Sequence, residues 1–321
     1  MNSHHVRRAA CAMALVAGVL AAGPIEFGTA ELDRAIAERG LNPRLFRIKT
    51  EVSVDPPESY RIIPGLVTGG DLRGVMYGLL EAARQIREAG RLRKANGAPA
   101  CAIRGVRASV HDLEAGLAQA REFWPALFQS LARSRFNRFS FMVPNPFEQA
   151  EQLQFISRTA ADYGVDFTLG LGDDSGAPAG PALQAALAKL LSACPSIRSV
   201  QLRMQADSAM YAVRAVQEAG RRLTLEAPAD MLAISLAAAS AGIPLRILVG
   251  YPNGARPEPG HPYYWEIAGP PARDRRSVQA VIEKLLAAGS SGFELDLPVP
   301  GAALPGLYPL WGALGYDPAA K

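Results

Sequence analysis

From Ile103 onward the chain repeats one local pattern, a short apolar run of strand length followed by a longer stretch with helical spacing. This repetition constrains the fold more than any single motif does. Strand candidates lie at 104–110, 136–143, 165–171, 199–204, 222–226, 245–250, 263–267 and 292–297, and helical stretches are clearest at 113–134, 149–163, 182–193, 209–220, 231–241 and 275–288. Alternation of this kind predicts a parallel sheet. Eight such units in about 200 residues predict an α/β fold of the closed (β/α)8 TIM-like type rather than an open doubly wound sheet. Gly164, Gly220, Gly242 and Gly289 each stand between a helix and the next strand, where a left-handed residue ends a helix. The connection 251–262 is rich in proline and glycine and has no helical spacing, so one unit is expected to be degenerate.

Residues 23–100 change period too quickly to belong to that repeat and predict a small α+β domain in front of the barrel. A helix is expected at 30–39, strands at 46–52 and 59–63, and a second helix capped by Asp71, with an apolar stripe of Val75, Met76, Leu79, Leu80, Ala83 and Ile86 and a stop at Gly90. The glycines of Thr68-Gly69-Gly70-Asp71 are not in a phosphate-loop register and have no Lys-Ser/Thr after them, so they read as a tight strand-to-helix turn. Residues 1–22 have a basic start with Arg7 and Arg8 and an apolar run from Ala9 to Ala22, the pattern of an export signal cleaved near Ala21. The expected division is therefore a leader at 1–22, an α+β domain at 23–100 and a barrel at 101–321.

Composition narrows the chemistry. A formal net charge of +4 is no nucleic-acid footprint. Beyond the leader only His111, His261, Cys101 and Cys194 remain of the soft ligands, which argues against a metal centre, and no cofactor motif is present. The two cysteines read as independent buried thiols, with a Cys101–Cys194 disulfide as the alternative in an oxidising compartment.

A barrel of this type carries its reactive groups at the C-terminal ends of its strands. The polar residues expected there are Asp173, Asp174, Gln205, Asp207, Glu226, Glu266, Glu294 and Asp296, a set rich in carboxylates that suits acid/base work on an uncharged polar substrate, glycosidic bonds above all. Aromatic residues crowd the same late region, including Tyr251, Tyr264, Trp265 and Trp311, and a pyranose ring stacks its C–H face on such planes.

Two stretches carry a resemblance to known families. Ser59-Tyr60-Arg61-Ile62 followed by Gly69-Gly70-Asp71-Leu72-Arg73-Gly74-Val75-Met76-Tyr77-Gly78 resembles the non-catalytic domain that precedes the barrel in family 20 β-hexosaminidases and family 67 α-glucuronidases. Ile103-Arg104-Gly105-Val106 and the passage ending Phe136-Asn137-Arg138-Phe139 resemble the entries to the first two barrel strands of those enzymes, and Leu310-Trp311-Gly312-Ala313-Leu314-Gly315-Tyr316-Asp317-Pro318 is similar to a late α-glucuronidase segment. The resemblance implies a divergent glycoside hydrolase-like chain without the helical C-terminal domain of the α-glucuronidases. No Asp-Glu dipeptide occurs in the sequence, which departs from the family 20 catalytic pair.

The candidate catalytic residues are Asp207 and Glu266, by analogy with barrels that place one carboxyl after strand four and one on strand seven, and Glu226 as an orienting or second carboxylate. Arg203, Tyr264, Trp265, Tyr251 and Trp311 are the candidate substrate-binding residues. Structural alternatives stand beside them: Asp207 as a helix cap, Glu266 in an ion pair with Arg273 or Arg275, and Glu226 as the partner of Arg203 or Arg246. Three readings follow: an exported glycoside hydrolase, a barrel that binds carbohydrate without cleaving it, and an enzyme of other chemistry on the same fold.

Overall fold

A computed structural model describes residues 23–109, 120–173, 176–220, 223–229, 232–250, 262–267, 274–297 and 308–319. The leader and most of the degenerate connection after Gly250 lie outside this set.

The small domain pairs two helices with a four-stranded sheet. Helix α1 (Pro24–Glu38) and helix α2 (Leu72–Ala89) pack against each other, and strands β1 (Lys49–Val52), β2 (Tyr60–Ile63), β3 (Leu66–Gly69) and β4 (Ala95–Gly97) form a sheet in the order β1-β3-β2-β4. The core between these layers is Leu32, Ala35, Ile36, Ile62, Val67, Val75, Leu79 and Ile86. Asp71 caps α2 by accepting from the Gly74 amide at 2.7 Å, and Gly90 ends it in the left-handed conformation with φ of 65°. Helix α1 starts at Pro24 rather than Ala30. Proline at the first helical position loses no hydrogen bond, and the extra turn seats Phe27 edge-on against Tyr163 at 5.1 Å. Gly28 allows the two helices to approach, because a Cβ there would meet Leu79 at 2.9 Å. Strands β3 and β4 are too short, at four and three residues, to declare a period of their own.

The remaining strands close a parallel barrel: β5 (Ile103–Ser109), β6 (Arg138–Met142), β7 (Asp166–Gly172), β8 (Ile197–Arg203), β9 (Thr224–Pro228), β10 (Leu245–Gly250), β11 (Tyr263–Ile267) and β12 (Gly292–Asp296), with β12 pairing back onto β5. Around it lie α3 (Phe123–Arg133), α4 (Ala150–Asp162), α5 (Pro181–Ala193), α6 (Ala206–Glu218), α7 (Leu232–Ser240), α8 (Arg275–Ala287) and α9 (Tyr308–Tyr316). The barrel-to-helix layer is a continuous apolar core, built by Phe139, Phe141, Phe167, Trp124 and Phe128 among others. Helix α9 was not legible in the sequence because Pro309, Gly312 and Gly315 interrupt it. Its glycines serve close packing: a Cβ on Gly312 would enter the Ser134 backbone, and one on Gly315 would meet Phe293 at 2.7 Å. Cys101 and Cys194 are both buried and neither forms a disulfide.

The small domain sits on the N-terminal end of the barrel. Glu58 is the junction: its carboxylate accepts from Arg104, from Arg73 at 2.5 Å and from Asn137 at 2.8 Å, while Tyr316 donates to its carbonyl at 2.7 Å. Arg73 reaches on to Asp166 at 2.8 Å. Arg104, Asn137 and Asp166 stand at or just before the starts of three barrel strands, so this domain leaves the opposite, C-terminal mouth uncovered. Burial alone would raise the pKa of Glu58, but the charges of Arg104 and Arg73 and the hydrogen bonds from Arg104 and Asn137 lower it from 4.5 to about 2. A depressed carboxylate stabilises the fold fully above its unfolded pKa and loses that contribution as pH falls toward its folded one. Replacing Glu58 with glutamine is therefore expected to cost about 3 kcal/mol at pH 7. The difference from the parent should shrink between pH 4.5 and about 2, as measured by urea unfolding across that range; a pH-independent difference would place the effect elsewhere.

Candidate functional site

Strand alternation sorts each barrel residue to the lumen or to the helix layer. On β11, Tyr263, Trp265 and Ile267 join the outer core, which leaves Tyr264 and Glu266 facing the lumen. On β10, Leu245, Ile247 and Val249 face outward, so Arg246, Leu248 and Gly250 face inward. On β12, Phe293 and Leu295 face outward, and Glu294 and Asp296 inward.

Buried side chains fill the lumen. Ile103, Leu248 and Tyr264 form a small apolar cluster inside it. Against it lies a closed polar layer centred on Arg138, whose guanidinium donates to both oxygens of Glu226, to Glu294 at 3.2 Å and to the Tyr264 hydroxyl at 3.1 Å. Tyr264 in turn donates to Glu226 at 2.9 Å, Gln201 donates to Glu294 at 3.3 Å, and Ser140 donates to Glu294. Glu226 is fully buried and Glu294 is 1 % exposed. Gly105 makes the room: a Cβ there would crowd Arg138 at 3.3 Å and Glu294 at 3.4 Å. Burial pushes Glu294 toward the neutral acid, yet the positive charge of Arg138, with help from Arg107 and Arg203 and the Ser140 hydrogen bond, leaves its pKa below the usual carboxylate range. Burial likewise keeps the Tyr264 phenol protonated, with its pKa raised well above the ordinary value.

Above this floor the mouth carries a second ionic layer. Glu266, at the C-terminal end of β11, lies between Arg107 and Arg203; Arg107 also pairs with Asp296, and Arg203 donates to Gln201 at 3.0 Å. Here the side chains reach solvent, at 15 % for Glu266 and 26 % for Arg203. Burial and the adjacent Arg107 charge lower the Arg203 pKa below its ordinary value, partly offset by Glu294, Tyr264 and Asp296.

Against this geometry the sequence expectations separate. Glu266 and Arg203 are brought together at the mouth; among the described residues the partners of Glu266 are Arg107 and Arg203 rather than Arg275, and Arg273 lies outside the described residues. Glu226 is closed off beneath, where its main partner is Arg138, with Arg246 at 3.6 Å. Asp207 lies in the first turn of α6, exposed, without capping the helix and without an ion pair or hydrogen bond among the described residues. The aromatic assignments need correction. Trp265 turns outward because its neighbours Tyr264 and Glu266 occupy the lumen, Tyr264 is buried as a member of the Arg138 layer, and Trp311 is 1 % exposed on the outer face of β12, packed against Phe293 at 5.3 Å. Tyr251 lies outside the described residues.

Arg138 was missed as a functional centre, although the pattern Arg138-Phe139-Ser140-Phe141 placed an arginine and a serine on one face of a strand whose other face is aromatic. Two further cavities lie away from the mouth. One, of about 330 Å³, is lined by Arg121, Trp124, Glu148 and Phe155 beside α3 and α4, and another, of about 430 Å³, lies between Arg73 and Arg198 at the domain junction.

Neither a family model nor a curated protein matches this chain. Solved structures do. The chain is similar to a GH138 enzyme targeting pectin rhamnogalacturonan II, with a TM-score of 0.71 at 13 % identity over 92 % of this chain and 49 % of that one. It is similar to BtGH115A, a GH115 4-O-methyl-α-glucuronidase with specificity for decorated arabinogalactans, with a TM-score of 0.63 at 13 % identity over 92 % and 55 %. A third match, CpGH84B, has a TM-score of 0.53 at 14 % identity over 91 % and 66 %. The chain thus spans about half the length of the first two structures. At this identity the likeness establishes the fold alone, a closed parallel barrel preceded by a small sheet domain.

The Arg138 layer generates a stability prediction. Removing one member of a buried ionic cluster strands its partners, at a cost of about 3–5 kcal/mol, whereas replacing the whole cluster with well-packed hydrophobic residues of similar volume is close to neutral. R138M is expected to lose that amount in urea unfolding, and R138M/E226M/E294M to recover most of it. Equal loss in both variants would contradict the charge-pairing account.

Proposed function

We propose that this chain is a glycoside hydrolase-like barrel that takes a carbohydrate at its C-terminal mouth, with Glu266 as the carboxylate presented to the glycosidic carbon. The observation that carries this reading is the position of Glu266: it stands in the lumen at the end of the seventh barrel strand, above a sealed floor, and reaches solvent between two arginines. Arginines on both sides favour the ionised carboxylate, which fits a nucleophile or base better than a proton donor. The donor then comes from the rim, and Asp207, after the fourth strand, is the residue this reading assigns to it. The likeness to enzymes acting on rhamnogalacturonan II and on glucuronic acid-decorated arabinogalactans supports carbohydrate as the ligand class. Export belongs to the same proposal and rests on the basic and apolar start of the sequence.

A specific observation favours the rival, a barrel that binds carbohydrate without cleaving it. Among the described residues four acids face the lumen from its middle layer to its mouth, Glu226, Glu294, Glu266 and Asp296, and each lies against an arginine. Each already spends its oxygens as acceptors toward a guanidinium, which leaves it poorly placed to hand a proton to a substrate. Hydrolysis of 4-nitrophenyl glycosides, read with titration calorimetry on the same compounds, separates the two. On the enzyme reading the wild type turns over one of them, and E266Q and D207N each lower kcat by about 10²–10⁴-fold. Binding without turnover in the wild type establishes the rival, and turnover unaffected by E266Q removes Glu266 from the site.

A further inference from the structure

The C-terminal rim is unevenly filled. Arg203 on β8 and Glu266 on β11 meet across the ends of the two strands between them, and those strands end in residues with little or no side chain, Pro228 on β9 and Gly250 on β10. Gly250 faces the lumen, two residues beyond Leu248 on the same face, and is in direct register with Glu266. It is exposed, and a Cβ built there meets none of the described residues within 4 Å. Other luminal glycines differ: a Cβ on Gly105 would crowd Arg138 and Glu294, and one on Gly170 would run into Met142. Packing therefore explains the glycines lower in the lumen and does not explain Gly250. Its φ is not in the left-handed region, so the backbone does not require glycine there either.

We propose that the space at Gly250 is the subsite for the sugar ring that adjoins Glu266, and that Gly250 sets which rings enter. This inference rests on the carbohydrate reading of the mouth and deepens it. A ring seated over the β10 end has the Glu266 carboxylate beside it on the neighbouring strand and Arg203 across the gap as a hydrogen-bond donor to its hydroxyls. The missing side chain supplies the room, so a Cβ introduced at 250 projects into the ring's place and meets none of the described residues.

The test is a volume series, G250A, G250V and G250L, assayed for affinity by calorimetry and for KM where turnover exists. The probes are 4-nitrophenyl glycosides of glucose, galactose, N-acetylglucosamine, rhamnose, glucuronic acid and galacturonic acid. Affinity is expected to fall in step with side-chain volume, reaching a loss of about 100-fold for G250L, while the thermal midpoint of all three variants stays at the wild-type value because a Cβ there meets none of the described residues. A bound sugar whose affinity is the same in wild type and G250L overturns the subsite and leaves the carbohydrate reading standing. A wild-type chain that engages none of the probes overturns that reading, and the subsite with it. A fall in thermal midpoint along the series contradicts the open space itself.

Discussion

One buried guanidinium organises the barrel interior. Arg138 is only 3 % exposed, so the fold must surround it with acceptors, and it does so with Glu226, Glu294, Ser140 and Tyr264 drawn from four different strands. Charges removed from water are tolerated only when paired and hydrogen-bonded, which fixes these strands in one relative register. The same layer decides where chemistry can occur. It consumes two carboxylates that would otherwise be candidates and closes the lumen beneath Glu266, so that any ligand must be met at the mouth.

The two ends of the barrel are specialised in the way the domain order imposes. The small domain binds the N-terminal end through Glu58, Arg73 and Arg104, an ionic junction held below the surface. The C-terminal end keeps its ionic pairs partly in solvent. Arg107, Arg203, Glu266 and Asp296 are therefore free to exchange one partner for a ligand at a modest cost, which the enclosed Arg138 cluster is not.

The architecture was readable because strand and helix periods are local properties: the eight strands fall where the apolar runs stand, and Gly164, Gly220, Gly242 and Gly289 all adopt the left-handed conformation expected of them. The site was readable only in part. Glu266 and Arg203 could be placed near a strand end, but their pairing depends on β8 and β11 facing each other across the lumen, a relation no linear spacing contains. The aromatic residues illustrate the same limit. Tyr264 and Trp265 are adjacent, so a strand must send them to opposite faces, and Trp311 lies in a helix that its own proline and glycines disguised. Alternation along β6 did announce Arg138 and Ser140 as a polar pair on an aromatic strand; what it could not announce was the two glutamates, distant in sequence, that meet them.

The most direct test of this account is a crystal structure of the chain with a bound oligosaccharide. The account places a sugar ring at the C-terminal mouth, above the Arg138 layer, in contact with Glu266 and over the end of β10, with the Arg138–Glu226–Glu294 cluster unchanged. A sugar bound instead in the cavity between Arg121 and Phe155 on the outer surface, with the mouth left to solvent, would contradict it.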